Sequence, residues 1–222
     1  MALLVESVMC SGCDVSVGMT IRRKTNTGKA PYTPCFVAGC RIATDRGAVA
    51  VEDLRVGDRV LTRDHGYRPI RWIGAREFTE EALTDFPELR PVTIAAGALD
   101  GMLPLADLTV SPQHRMLVCN PQGERETLVP AIALTGRDGI AVAGHGGVIY
   151  YHLMFDAHEV ICSEGAWSES FLPDADALAG VHSAQLREIL TIFPELARPA
   201  GLASYGGPAR RCIDVAELGA AA

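Results

Sequence analysis

Pro34-Cys35-Phe36-Val37-Ala38-Gly39-Cys40 is the stretch on which the fold turns. It joins a turn-prone approach, Ala30-Pro31-Tyr32-Thr33-Pro34, to a β-rich run that extends to about Ile73. Arg41-Ile42-Ala43-Thr44 and Val49-Ala50-Val51 flank Asp45-Arg46-Gly47, a hairpin turn whose glycine can take positive φ. Val60-Leu61-Thr62 and residues 67–73 read as strands on either side of Arg63-Asp64-His65-Gly66, and Pro69 puts the second at a sheet edge or bulge. Further strands are predicted at 93–95, 115–119, 148–155 and 158–162. Residues 77–90 are acidic and read as a surface loop with a helical turn. Residues 128–143 read as two short apolar segments split by Gly136-Arg137-Asp138-Gly139.

Composition agrees with a mainly β body. The chain has 222 residues, 48% of them hydrophobic, which suffices for a core. Its 22 glycines and 13 prolines punctuate short apolar runs, as an all-β domain with many turns requires. A net charge of −7 argues against nucleic-acid binding, since only Arg22-Arg23-Lys24 is locally basic. No stretch approaches the length of a membrane-spanning helix. The opening Met1-Ala2-Leu3-Leu4-Val5-Glu6 lacks the basic start of a signal peptide. Three parts are expected: an arm over 1–34, a domain over 35–173, and a helical extension with a tail over 174–222. In the last part Leu186, Ile189, Leu190 and Phe193 have helical spacing, with Ser183 as the cap and Pro194 as the limit. The Gly/Ala-rich tail beyond Gly201 is expected to fray.

The seven cysteines are odd in number and irregular in spacing, so no disulfide framework is expected. Cys119 and Cys162 lie in apolar runs and read as small buried hydrophobes. Cys10-x-x-Cys13 has no second ligand pair, so neither a metal nor a cofactor is expected.

Cys35 has a different prospect. A thiol directly after a carbonyl can attack that carbonyl through a small ring, converting the Pro34–Cys35 amide into a thioester. The attack needs a base or thiolate, a donor for the oxyanion, and an acid for the departing nitrogen. Ser111-Pro112-Gln113-His114 offers a hydroxyl and an imidazole at a turn, where both can converge on one backbone group. On spacing alone, a Ser-Pro turn followed by a surface histidine is the stronger account.

Ordered similarity reverses that balance. Residues 34–39, then Val51-Glu52-Asp53-Leu54-Arg55-Val56-Gly57-Asp58, then Pro69-Ile70-Arg71-Trp72-Ile73-Gly74 resemble the bacterial branch of the Hint superfamily, the autoprocessing domain of Hedgehog proteins and inteins. Leu108-Thr109-Val110-Ser111-Pro112-Gln113-His114 resembles the family's Thr-x-x-His block, with Ser111 in place of threonine. Residues 150–161 resemble its C-terminal block. The resemblance implies a mainly β, pseudo-twofold horseshoe with Cys35 as nucleophile and Ser111 and His114 at the scissile amide. His152 stands where relatives often carry Asp. It is either a base for the thiol or a buried histidine bonded to backbone. His158 matches a later block histidine, with a structural hydrogen-bonding role favoured over catalysis.

The resemblance further implies a substrate, the chain's own N-terminal segment, and an acceptor that is water, an external thiol or an amine. No Asn follows Asn120, so N-terminal cleavage is expected rather than full splicing. Nothing in 174–222 suggests a sterol. Cys40 stands where relatives carry threonine. It reads as packing, near enough to Cys35 for a disulfide to silence the nucleophile. Pro34 crowds the attacked carbonyl and lowers its electrophilicity through n→π* donation, so slow thioester formation is expected. Two competitors stand beside self-processing: an inactive Hint-like interaction or secretion-associated module, and a trans-acting thiol hydrolase using Cys35 and His114. The compartment stays open between a bacterial cytoplasm and secretion with a partner protein.

Overall fold

The computed structural model describes residues 34–99, 102–119, 126–144 and 146–213. The expected arm and the Cys10-x-x-Cys13 pair lie outside the described residues, apart from Pro34. The strands are, in order, β1 (Phe36–Val37), β2 (Arg41–Thr44), β3 (Gly47–Ala50), β4 (Arg59–Thr62), β5 (Gly66–Pro69), β6 (Trp72–Phe78), β7 (Val92–Ile94) and β8 (Leu108–Val110). They continue with β9 (Arg115–Cys119), β10 (Glu126–Pro130), β11 (Ile140–Val142), β12 (Val148–Met154), β13 (Val160–Ser163), β14 (Ala166–Glu169) and β15 (Arg211–Cys212). Five short helices join them: α1 (Glu80–Asp85), α2 (Ala131–Leu134), α3 (Ala175–Gly180), α4 (Ser183–Ile192) and α5 (Pro199–Tyr205).

The strands form two sheets. One is six-stranded, in the order β11-β7-β8-β1-β12-β6; the other runs β15-β10-β9-β14-β13-β2-β4-β5, with β3 on β2. The fold is therefore mainly β. Its largest core cluster joins the sheets: Phe36, Val92, Leu108 and Val110 come from the first, and Ile42, Val60, Met116 and Ile161 from the second. The β2–β3 hairpin closes at Thr44 opposite Gly47, whose φ of 100° is open to glycine at little cost. Pro69 lies in β5 at the end of the second sheet, where a missing N–H costs no ladder bond. β1 is only two residues long but is held on both sides: Phe36 pairs with Val110 of β8 and with Tyr151 of β12.

The structure departs from expectation in three places. Residues 201–213 do not fray. Tyr205 donates its hydroxyl to the Phe155 carbonyl at 2.8 Å, and β15 adds a parallel edge to β10. Arg210 bonds both Asp64 and Glu126. These partners are distant in sequence, so the Gly/Ala composition hid them. The α4 cap is His182, whose Nδ1 accepts from the Ala184 N–H, and not Ser183. Cys119 is exposed at the end of β9, and Cys162 is half-buried; an apolar run in a strand turns alternate side chains to opposite faces. Among the described residues no helix is long and apolar enough to cross a membrane.

Candidate functional site

The six-stranded sheet sets Cys35 at its centre. The Ser111 N–H donates to the Cys35 carbonyl at 3.0 Å, continuing the β1–β8 ladder past its last paired residue. The ladder then changes character. The Cys35 N–H donates to a side chain, Ser111 Oγ, at 3.0 Å. Pro112 has no N–H to offer a strand, so the chain turns there. The turn is pinned by the His114 N–H on the Ser111 carbonyl at 3.0 Å and by the Ile132 N–H of α2 on the Pro112 carbonyl at 2.9 Å.

The opposite side of the Pro34–Cys35 bond meets β12. His152 Nδ1 lies 3.0 Å from the Pro34 carbonyl oxygen. A carbonyl only accepts, so Nδ1 carries the proton and donates it there. In the neutral ring Nε2 then bears the lone pair. Cys35 Sγ lies 3.4 Å from Nδ1 and 3.5 Å from Nε2. A bond in line with one ring nitrogen would leave the other far out of reach, so the near equality means that the thiol rests across the ring rather than on a lone pair. Of the two roles open for His152, the backbone bond is made, and made to the carbonyl that Cys35 would attack.

His114 is placed otherwise. Its ring meets the face of Phe36, the residue after Cys35, edge-on with centroids 4.5 Å apart. It is 1% exposed, and neither ring nitrogen has a hydrogen-bond partner among the described residues. A buried imidazole without partners is costly and has hydrogen-bonding capacity to spare. His158 has none to spare. Its Nδ1 accepts from the Ala209 N–H at 2.9 Å, and its Nε2 lies 3.1 Å from the Ser170 carbonyl. Both nitrogens thus hold backbone in place. Cys35 and Cys40 are both free thiols.

Burial governs the charges. It pushes the Cys35 thiol well above its ordinary value, opposed by a hydrogen bond from Ser111 and by the positive charge of Arg76. It pulls His114 down to about 4, against the pull of the Glu169 carboxylate. It pulls His152 down to about 4 as well, although the bond to Pro34 favours the protonated ring. The resting site is therefore neutral thiol and neutral imidazoles. Glu169 is fully buried yet charged: burial would raise its pKa, but the His158 ring, its Nε2 3.6 Å away, and Arg115 hold it below the usual carboxylate range. It accepts from the Arg115 N–H at 2.8 Å and from the Arg115 guanidinium at 3.2 Å.

Two of these groups escaped the sequence. Glu169 lies at the end of β14 with no motif around it. Arg76 lies on β6, opposite Tyr150, with its guanidinium 4.5 Å from the Phe78 ring and one N–H on the Gly180 carbonyl at 3.3 Å. Only the β12–β6 register brings its charge to bear on Cys35. Among the described residues no three His, Cys, Asp or Glu side chains gather as metal ligands would.

The family model for the Hint domain matches residues 34–175, well over half of the chain. The chain belongs to the Hint domain family. The matched region of this Hint domain starts at Pro34, the residue whose carbonyl His152 holds. The family and the two-sheet β fold support a self-processing domain. Among solved structures, the chain is similar to a DnaB intein from Synechocystis at 8% identity and a TM-score of 0.41, covering 63% of this chain and 99% of the intein. It is similar to the bacterial intein-like domain from Clostridium thermocellum at 16% identity and 0.39, covering 62% and 98%. The gp41-1 intein matches at 10% identity and 0.37, covering 61% and 97%. No curated protein matches the sequence.

Proposed function

We propose that this Hint domain cleaves its own backbone at Pro34–Cys35 by an N–S acyl shift. The observation that supports this best is that the bond is gripped on both sides: His152 donates to its oxygen and Ser111 accepts from its nitrogen, with the thiol against the His152 ring. Cys35 Sγ attacks the Pro34 carbonyl carbon, forming the S–C bond. Its proton passes to His152 Nε2 after a small swing of the thiol onto that lone pair. The ring becomes cationic as negative charge builds on the oxygen that its Nδ1–H already holds, so the base and the oxyanion donor reinforce each other. The C–N bond then breaks and the Cys35 nitrogen leaves as an amine, having gained the equivalent of the thiol proton. Ser111 orients that nitrogen; His114, neutral at rest, takes a proton from solvent and delivers it there as an imidazolium, and His152 returns the thiol proton to solvent.

The thioester so formed joins residues 1–34 to the Cys35 sulfur. Water, an external thiol or an amine resolves it, releasing that segment or transferring it. Both Pro34 and Cys35 are buried. Burial does not hinder the intramolecular first step but makes the second depend on access. The test is Cys35→Ala in the full chain. Intact mass should stay uncut over a day while the circular dichroism and melting temperature match the parent; a cut at the same bond in that variant would end the mechanism.

One observation favours a second reading, an inactive Hint-like module. Burial holds the thiol protonated and both imidazoles neutral, so no group rests in its reactive charge state. An unchanged intact mass after long incubation of folded, reduced parent with thiol would select that reading.

A further inference from the structure

The matched family region ends at residue 175, but the chain continues through α3, α4 and α5, and these helices reach back to the strands that carry the site. Gln185 on α4 donates to the Ala75 carbonyl of β6 at 2.7 Å, and its side chain is buried. Glu188, one turn on, accepts the Trp72 indole N–H at 3.2 Å. Trp72 is the pivot. It is 3% exposed and packs with Phe171, Met154, Ile189 and Phe193, a cluster drawn from both the sheet and the extension.

The Trp72 ring has one place to lie. Gly74 is the register partner of His152 across β6 and β12. A Cβ at Gly74 would run into the Trp72 ring, so only glycine leaves room for the indole to lie over that position. There it stacks beside His152, with planes 18° apart and centroids 6.1 Å apart. Phe171 closes the other approach edge-on at 5.2 Å. The imidazole that donates to the Pro34 carbonyl thus has its plane set by two aromatic rings, one of them tied to α4.

We propose that the C-terminal extension is a working part of the self-processing unit, with Trp72 as a positioning residue that holds the His152 ring plane and Glu188 as the anchor that holds Trp72. The proposal rests on the reading of Pro34–Cys35 as the processed bond, but it makes a separate claim about His152. Misplacing a polarising group by about 1 Å costs roughly 100-fold in rate. Trp72→Leu and Glu188→Leu are therefore expected to slow cleavage by about 10- to 100-fold, the indole variant more. Glu188→Gln keeps an acceptor for the indole and should restore cleavage to near the parent rate.

The experiment combines cleavage rate by intact mass, melting temperature, and the ring-nitrogen NMR shifts of His152 in the full-length parent and the three variants. The expected result is a single Nδ1–H tautomer in the parent and in Glu188→Gln, and a mixed or altered tautomer in Trp72→Leu and Glu188→Leu, in step with slower cleavage. Unaltered His152 shifts and rate in folded Trp72→Leu would overturn the proposal while leaving the processing mechanism intact. A parent that never cleaves would end the mechanism; the His152 shifts alone would then decide whether Trp72 and Glu188 set that ring.

Discussion

The two imidazoles nearest the Pro34–Cys35 bond live in opposite circumstances. His152, on the long strand β12, is held at every side: the Pro34 carbonyl takes its Nδ1–H, Trp72 stacks beside it and Phe171 meets its face. His114, on the turn between β8 and β9, is equally buried and packs on Phe36, but its nitrogens bond nothing among the described residues. The difference teaches how the labour divides. The carbonyl half of the bond is already complemented in the resting fold. On the proposed mechanism, the nitrogen half is served by a group whose partner appears only when the amine departs.

The sharpest way to break this comparison is to remove the idle imidazole. His114→Gln should lower cleavage by roughly 100- to 10,000-fold, the usual worth of a positioned general acid. It should also abolish the rise in rate with acid that a histidine of pKa about 4 imposes above that pH. Quench-flow or hourly intact mass gives both. His152→Ala should cost roughly 100- to 1,000-fold, the range for one oxyanion donor. Hydroxylamine trapping should fall in both, because the thioester forms only once the amine has left; the pH dependence separates the two, with the acid-driven rise lost in the first variant and kept in the second.

Acid stability sharpens the same contrast. Both rings are neutral in the fold with pKa about 4, and each takes a proton near pH 6.5 once unfolded. Stability present above pH 6.5 is therefore lost as the pH falls toward 4, by at most about 1.4 kcal/mol per pH unit for each ring. Glu169, held charged by its partners, adds to the slope only below about pH 4.5, where the unfolded carboxyl takes up a proton. Urea melts at several pH values should show a shallower loss in His114→Gln than in the parent; equal slopes would mean that the ring is not held neutral. The smallest effect concerns the substrate. Pro34→Gly relieves crowding and n→π* donation at the attacked carbonyl, worth about 0.5 kcal/mol, and should speed cleavage about two- to threefold. A rate no faster than the parent would count against proline as a brake.

Local pattern carried the strands well. The apolar runs at 41–44 and 49–51 and the Asp45-Arg46-Gly47 turn specify the β2–β3 hairpin, and Pro69 specifies an edge or a bulge, because each rests on backbone chemistry at the residue itself. The tail did not yield to that logic, since α5 and β15 are held by Phe155, His158, Asp64 and Leu128, all remote in sequence. The same division runs through the site. Cys35, Ser111 and His114 are visible as motif residues. Which side of the peptide bond each serves is not, because that depends on register: the His152 row brings a ring to the Pro34 oxygen, and the β8 end brings Ser111 to the Cys35 nitrogen. Arg76 and Glu169 are further still from any local signal, and Trp72, though it stands in a resembling block, shows nothing there of what it touches. Their relation to the site exists only after β6, β12 and β14 have paired.

The most direct test of the account is intact mass spectrometry of reduced, full-length protein incubated for a day with and without hydroxylamine. The account predicts a fragment beginning at Cys35, a complementary hydroxamate on Pro34, and more of both with added nucleophile. A folded, reduced chain whose mass never changes would contradict it.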